Sequence, residues 1–137
     1  MRRGQIETYP IKILLAFSEA IGGNKKFFTF LMNNKYPELG ILAESIRGGE
    51  KSVEWLMKNG FPQFAAFDGA IHGDMKAILW LSKYKFRMLI RLADATRGAP
   101  VAIQWFNQQD LKVFIIIARK IKSFIDQQVF DVHKRRF

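Results

Sequence analysis

The chain has 137 residues, 49% of them hydrophobic, and carries 22 lysines and arginines against 12 aspartates and glutamates, a formal charge of +10. That length suits one domain with a real core, and the composition argues against disorder. Cysteine is absent, which removes disulfides, a thiol nucleophile and thiolate metal ligands, and two isolated histidines supply metal chemistry poorly.

The charged start Met1-Arg2-Arg3 is not followed by an apolar run of signal-peptide length. The longest purely apolar run, Val113 to Ala118, is far short of the roughly 20 residues that span a bilayer. A cytoplasmic location is the expectation. The positive charge points to acidic proteins, polyanions or an anionic membrane surface as partners, without choosing among them.

Residues 1–16 read as a half-repeat, in which Pro10 suits the first turn of a helix and Ile11 and Leu14 stand one period before Tyr36 and Leu39. That period is 25 residues, the spacing of the three tryptophans Trp55, Trp80 and Trp105, and Phe30 and Phe130 extend the series in both directions. The repeats are 17–41, 42–66, 67–91 and 92–116, followed by a partial row, 117–137, that reads as a C-terminal capping repeat. A fixed period in this range means a stacked array of one supersecondary unit.

Each row carries apolar residues at helical spacing on both sides of a glycine column, Gly23, Gly48, Gly73 and Gly98, and so predicts two short helices. Helix A is expected over 39–47, 64–72, 89–97 and 114–122, where the glycine supplies the left-handed residue that stops it. Helix B is expected over 50–59, 75–84 and 100–109, with Asp74 as an N-cap and Pro100 in a first turn. Gly60, Pro37 and Pro62 break the chain before the next helix A.

The columns explain the stacking. Phe17, Leu42, Phe67, Leu92 and Ile117 form one apolar column, and Ile21, Ile46, Ile71 and Ile121 form another, with Thr96 interrupting it. Ala20, Ser45, Ala70 and Ala95 stay small where a neighbouring helix comes close. On helix B, Phe28, Val53, Ile78 and Ile103 precede Leu31, Leu56, Leu81 and Phe106 by three residues. Each helix pair is apolar on both flanks, so a stack buries what one repeat cannot. In the last row Lys120, Gln127, Gln128 and Asp131 replace apolar or small residues, as a cap with a polar outer face requires. At the other end Phe27, Phe28, Phe30 and Leu31 need a cover, which residues 5–16 provide; a dimer contact is the alternative.

The run Gly48-x4-Val53-x2-Leu56-Met57-Lys58-Asn59-Gly60-Phe61 resembles the second half of an ankyrin repeat. Row three is similar through Ala70-Ile71-His72-Gly73-Asp74 with Ala77, Ile78 and Leu81, and row four through Ala95, Gly98, Ala102, Ile103 and Phe106. Ankyrin repeats are about 33 residues long; the shorter period here and the missing Thr-Pro-Leu-His opening remove the β-turn finger. The expected fold is therefore all-α: an α-solenoid of four to five stacked helix-turn-helix repeats, ankyrin-like without β-hairpins. The resemblance implies a protein-interaction scaffold.

Catalysis has little support. Asp68 and His72 are four apart on helix A, but no nucleophile stands at a repeat-equivalent position beside them, and a structural or capping role for His72 is the expectation. Glu44 with Arg47 and Asp94 with Arg97 read as acid-base pairs on a solvated face. No cofactor or metal motif is present. The tryptophan column sits in the most apolar part of helix B and reads as packing rather than as a base-stacking platform.

The sharper feature is a basic column at the end of every helix A: Arg47, His72, Arg97 and Lys122, reinforced by Arg91, Arg119 and the tail Lys134, Arg135 and Arg136. Cations there complement the helix dipole. They also predict a basic stripe that binds an acidic protein surface, the favoured partner, with non-specific nucleic-acid binding as the alternative. Helices stacked about 8 to 10 Å apart do not match the charge spacing of a duplex, so a nucleic acid would be held without register. On this reading, substituting Arg47, Arg97 and Lys122 together removes binding and leaves stability unchanged.

Overall fold

The computed structural model describes the backbone of residues 1–135 and the side chains of residues 1–132. Among these residues there are nine α-helices and no strand. After a 3-10 turn, Ile6–Thr8, they are α1 (Ile11–Ile21), α2 (Lys25–Asn33), α3 (Pro37–Ile46), α4 (Glu50–Lys58), α5 (Pro62–Ile71), α6 (Met75–Lys83), α7 (Arg87–Thr96), α8 (Pro100–Gln108) and α9 (Lys112–Arg135). No helix among the described residues is long and apolar enough to cross a membrane.

Both joints of the repeat are the same device. Gly23, Gly48, Gly73 and Gly98 have φ between +78° and +97°. The residue after each donates its N–H back into the helix, as in Gly49 N to Glu44 O at 2.9 Å and Asp74 N to Gly69 O at 3.1 Å. This pair of bonds satisfies carbonyls that a helix end leaves orphaned. The second joint repeats it at Lys35, Gly60, Lys85 and Asp110, all left-handed, with Tyr36, Phe61, Phe86 and Leu111 closing back onto Leu31, Leu56, Leu81 and Phe106. Asp74 caps α6 by accepting from Lys76 N at 3.0 Å, and Pro100 opens α8. Pro37 and Pro62 are the first residues of α3 and α5 rather than breaks ahead of them, which places each helix A two residues earlier than its apolar pattern alone marks.

The odd-numbered helices form the inner layer and the even-numbered ones the outer layer. Each inner helix packs against the inner helices before and after it, and each outer helix bridges two inner ones. Leu31, Leu56, Leu81 and Phe106 point from the outer layer into that bridge and are 0% exposed. Trp55 and Trp80 lie half-buried and stack on Phe61 and Phe86, the residues that lead into the next inner helix.

The array closes on itself: α9 packs against α1. The two run in parallel register, with Lys120 Nζ 3.8 Å from Glu19 Oε1 and Ile11 beside Leu111. Two expectations change as a result. Of the row-one residues expected to be covered by residues 5–16, Leu31 is buried where α2 meets α1 and α3 while Phe27 and Phe30 stay exposed, and row five packs against α1 instead of standing as a free polar cap. Row five is also not a helix pair, because the glycine column ends at Gly98: Ser123 occupies the next position and α9 runs straight through it.

Residues 2–9 instead cover the end of the ring where the inner helices begin. Gly4 accepts from Gln63 Nε2 at 3.1 Å, Ile6 and Tyr9 join the core, and Arg3 Nη2 donates to Lys35 O at 2.6 Å. Gly4 has φ +86°, which favours glycine, and a Cβ there would also displace the Gln63 amide that bonds to it. Inside this cover Glu38 is 0% exposed, accepting from the Tyr9 hydroxyl at 2.8 Å, with Arg3 Nη1 at 3.6 Å. Burial and the neighbouring carboxylate push the Tyr9 hydroxyl far up from its ordinary range, so it stays protonated and donates.

Candidate functional site

Four inner helices, α1, α3, α5 and α7, end at the glycine-loop end of the ring, where partial negative charge accumulates, while α9 runs past it. The predicted basic column lies there, bent around the ring rather than drawn out as a straight stripe. Most of its members are held by internal partners. Arg47, at the C-cap of α3, donates Nη1 to Ile21 O at 3.0 Å and sets its guanidinium 4.7 Å from the centroid of Phe124. Arg97, at the C-cap of α7, donates to Ala70 O and pairs with Asp94. Lys122 pairs with Asp126 one turn on, at 2.8 Å. Arg91 stacks on Trp105 at 3.8 Å from the ring centroid. Arg119 is exposed and has no carboxylate partner among the described residues. Of the basic tail, the side chains of Lys134 and Arg135, and all of Arg136, lie outside the described residues.

His72 ends α5 with Nε2 3.9 Å from Asp68 Oδ1. The structure adds a residue that sequence reasoning missed: Ser45 Oγ, from the preceding repeat, donates to Asp68 Oδ2. Burial raises the Asp68 carboxyl above the usual range, while the Ser45 hydrogen bond and the His72 charge partly oppose it. The three residue types are those of a hydrolase triad, but the carboxylate stands between serine and histidine. In such a triad the histidine reaches the nucleophile's proton, whereas here the Ser45 hydroxyl and His72 both face Asp68. Ser45 was visible in the sequence as a polar member of the small-residue column.

Because α9 continues unbroken past Ser123, its distal half lies over the glycine-loop end. Gln128 reaches a cleft of about 400 Å³ that also contains Ser45, Asp68 and His72. A larger cleft of about 760 Å³ opens between α9 and the ends of α1 and α3, lined by Gly22, Arg47, Ile116, Arg119, Lys120, Ser123, Phe124, Gln127, Gln128 and Asp131. It unites Arg47 with Arg119 from the predicted set and adds Lys120, while Arg91, Arg97, His72 and Lys122 are not among its lining residues. Chemically it offers three cations, one carboxylate and two amides around an apolar patch of Ile116 and Phe124, an arrangement suited to a carboxylate-bearing ligand with some apolar surface.

Ile116 also borders a second hollow, of about 310 Å³, between the first halves of α1 and α9, together with Ile11, Leu14, Leu15, Leu111, Lys112 and Val113. The two hollows are the two ends of one seam. No protein-family model matches the chain, no curated protein matches it, and no solved structure matches it.

Proposed function

We propose that the chain is a non-enzymatic protein-interaction module, an ankyrin-like helical repeat array without fingers, that holds an acidic protein segment in the cleft of Arg47, Arg119 and Lys120. The observation that supports this reading is the convergence of those cations on one cleft large enough for several side chains. Carboxylates bound there meet arginine forks in a partly dry setting, where charge-assisted hydrogen bonds are strong.

The alternative, non-specific nucleic-acid binding, needs a track of cations free to meet phosphates. Arg91, Arg97 and Lys122 each have an internal partner and do not line the cleft, which breaks that track; Arg47 and Lys120 engage Ile21 O and Glu19 with part of their donors and meet a ligand in the cleft with the rest. Fluorescence anisotropy with a glutamate-rich peptide and with mixed-sequence single- and double-stranded nucleic acid, at about 50 and 200 mM salt, separates the two readings. The expected result is peptide binding that Arg119→Gln with Lys120→Gln weakens. Tight nucleic-acid binding that collapses with salt, with no peptide binding, would reverse the order.

A further inference from the structure

Four of the five grooves between neighbouring inner helices are filled by an outer helix, and the fifth, between α9 and α1, holds none among the described residues. We propose that this seam is the docking site for an amphipathic helix of a partner protein, seated as a fifth outer helix, with an acidic first turn and a basic last turn. The proposal rests on the interaction-module reading above and gives it a partner class and an orientation.

The repeat supplies the comparison. Ile116 occupies the column of Ile41, which faces the outer helix that follows; Ile41 is 9% exposed beneath α4, whereas Ile116 is 39% exposed. Leu15 occupies the column of Gly40, which faces the outer helix before it, where a Cβ would meet Met32 and Leu31. In the seam nothing covers Leu15, and Ile11 beside it is also exposed. Positions that an outer helix covers fully at Gly40 and Ile41, and partly at Ala65, Ala66, Ile90 and Arg91, are thus apolar and more exposed in the seam.

The chain's own tail is a poor occupant. If α9 turned at Ser123 as the other rows turn at glycine, Gln128 would stand in the column of Phe28, Val53, Ile78 and Ile103. Asp131 would then stand in the column of Leu31, Leu56, Leu81 and Phe106, which is fully buried in every other groove. Burying an unpaired carboxylate there is costly, and the objection holds equally for a tail exchanged from a second copy. A second copy also brings its own charge of +10 against this cationic end.

Charge then sets the occupant's direction. Every outer helix starts at the glycine-loop end and runs back along the inner helices. An occupant in that orientation places its first turn by Arg47, Arg119 and Lys120 and its last turn by Glu7, Asp110 and Lys112, where two carboxylates outweigh one cation. Acidic residues are favoured in a first turn and basic ones in a last turn, so the seam's field and the helix dipole ask for the same sequence. Within this chain α4 has that pattern, with Glu50 first and Lys58 last.

The test uses the full chain and stapled helical peptides of outer-helix length carrying Ile, Trp and Leu at the spacing of Ile78, Trp80 and Leu81. One peptide has Glu in its first turn and Lys in its last, a second has these exchanged, and a third keeps the charges of the first but has Ser for the apolar trio. The first is expected to bind, the second and third at least about tenfold more weakly, a difference of about 1.4 kcal/mol. Leu15→Gln with Ile116→Gln should weaken the first peptide by a similar factor while circular dichroism is unchanged, and Ile11→Gln serves if that pair does not fold. Failure of the first peptide to bind, or equal binding of the exchanged peptide, overturns the proposal. If the serine peptide binds as well as the first and responds only to Arg119→Gln with Lys120→Gln, the seam is overturned and the acidic-cleft reading stands; if no peptide binds, both fall. Sedimentation as a dimer that Leu15→Gln with Ile116→Gln dissociates would assign the seam to a second copy instead.

Discussion

Arg47 Nη1 donates to the carbonyl of Ile21 at 3.0 Å, so a cation at the end of one inner helix closes the end of the inner helix before it. Arg97 does the same two repeats later, donating to Ala70 O at the end of α5. Ile21 O has no other donor from the glycine turn, whereas Ala70 O already accepts from Gly73 N at 3.0 Å and takes Arg97 as a second donor; both bonds tie neighbouring repeats together.

Arg47→Gln and Arg97→Gln are therefore each expected to lower stability by about 1 kcal/mol, toward the low end for charge-assisted bonds because both side chains are partly in water. Lys122→Gln removes only an exposed pair within one helix and should change stability by no more than about 0.5 kcal/mol. Urea denaturation of the three single variants reads this directly. Equal, negligible effects at all three positions would return the column to the free basic stripe that its sequence pattern suggests.

Glu38 and Tyr9 make the opposite end of the ring sensitive. The Glu38 carboxylate is fully buried and takes the Tyr9 hydroxyl on Oε2, while Oε1 has no hydrogen-bond donor in reach and faces Arg3 at 3.6 Å. Tyr9→Phe leaves a second carboxylate oxygen unsatisfied in a dry setting, at a cost of about 1 to 3 kcal/mol. Glu38→Gln keeps the shape, removes the buried charge and should cost less. A ranking by thermal melts in which Glu38→Gln is the worse of the two would show that the Arg3 contact, and not the tyrosine, carries this carboxylate.

The sequence made the repeat legible because helix stops, small-residue columns and apolar columns are local chemistry repeated in register. Helix B boundaries follow from Asp74, Pro100 and the glycines to within a residue, and the half-buried packing of Trp55 and Trp80 follows from their neighbours. Closure was not legible. Nothing local in α1 or α9 records how much each repeat rotates relative to the last, and that accumulated rotation decides whether row five meets row one. The straightness of α9 was legible in principle, since Ser123 breaks the glycine column. The candidate site was read only in part: cations at helix ends were found, but their consumption by carbonyls of the preceding repeat depends on side-chain reach across a groove. Ser45 beside Asp68 was hidden for the same reason.

Asp68 gives the fold a pH signature. Its folded carboxyl is raised by burial, so the folded state binds the proton more tightly than the unfolded state does. Stability from this group falls as pH rises from the ordinary aspartate value of about 3.9 through the raised one, then levels off. Asp68→Asn keeps an acceptor for Ser45 Oγ and removes the charge, so it should match or exceed the parent in melting temperature at neutral pH. The advantage should shrink as the pH is lowered through the raised value and be lost below about 3, where the parent carboxyl is protonated in both states. A variant less stable than the parent at neutral pH would mean that the attraction of Asp68 for His72 outweighs its desolvation.

Ser123 is the position at which the chain chooses between a straight α9 and a fifth outer helix. Ser123→Gly alone adds glycine to a helix interior, costing about 1 kcal/mol locally, and α9 should remain one helix because Asp131 cannot enter the seam. Adding Gln128→Ile and Asp131→Leu supplies the two buried columns of an outer helix, and Phe130 already stands in the tryptophan column. The triple variant is expected to turn at residue 123 and lay residues 125–133 against α1 and α9, covering Leu15 and Ile116. Backbone chemical shifts would then report a left-handed residue at 123, amide exchange in α1 would slow, and the acidic-first peptide would no longer bind. A triple variant whose shifts still describe an unbroken α9, and which binds the peptide as before, would mean that the α9–α1 groove differs in shape from its four counterparts and does not accept an outer helix.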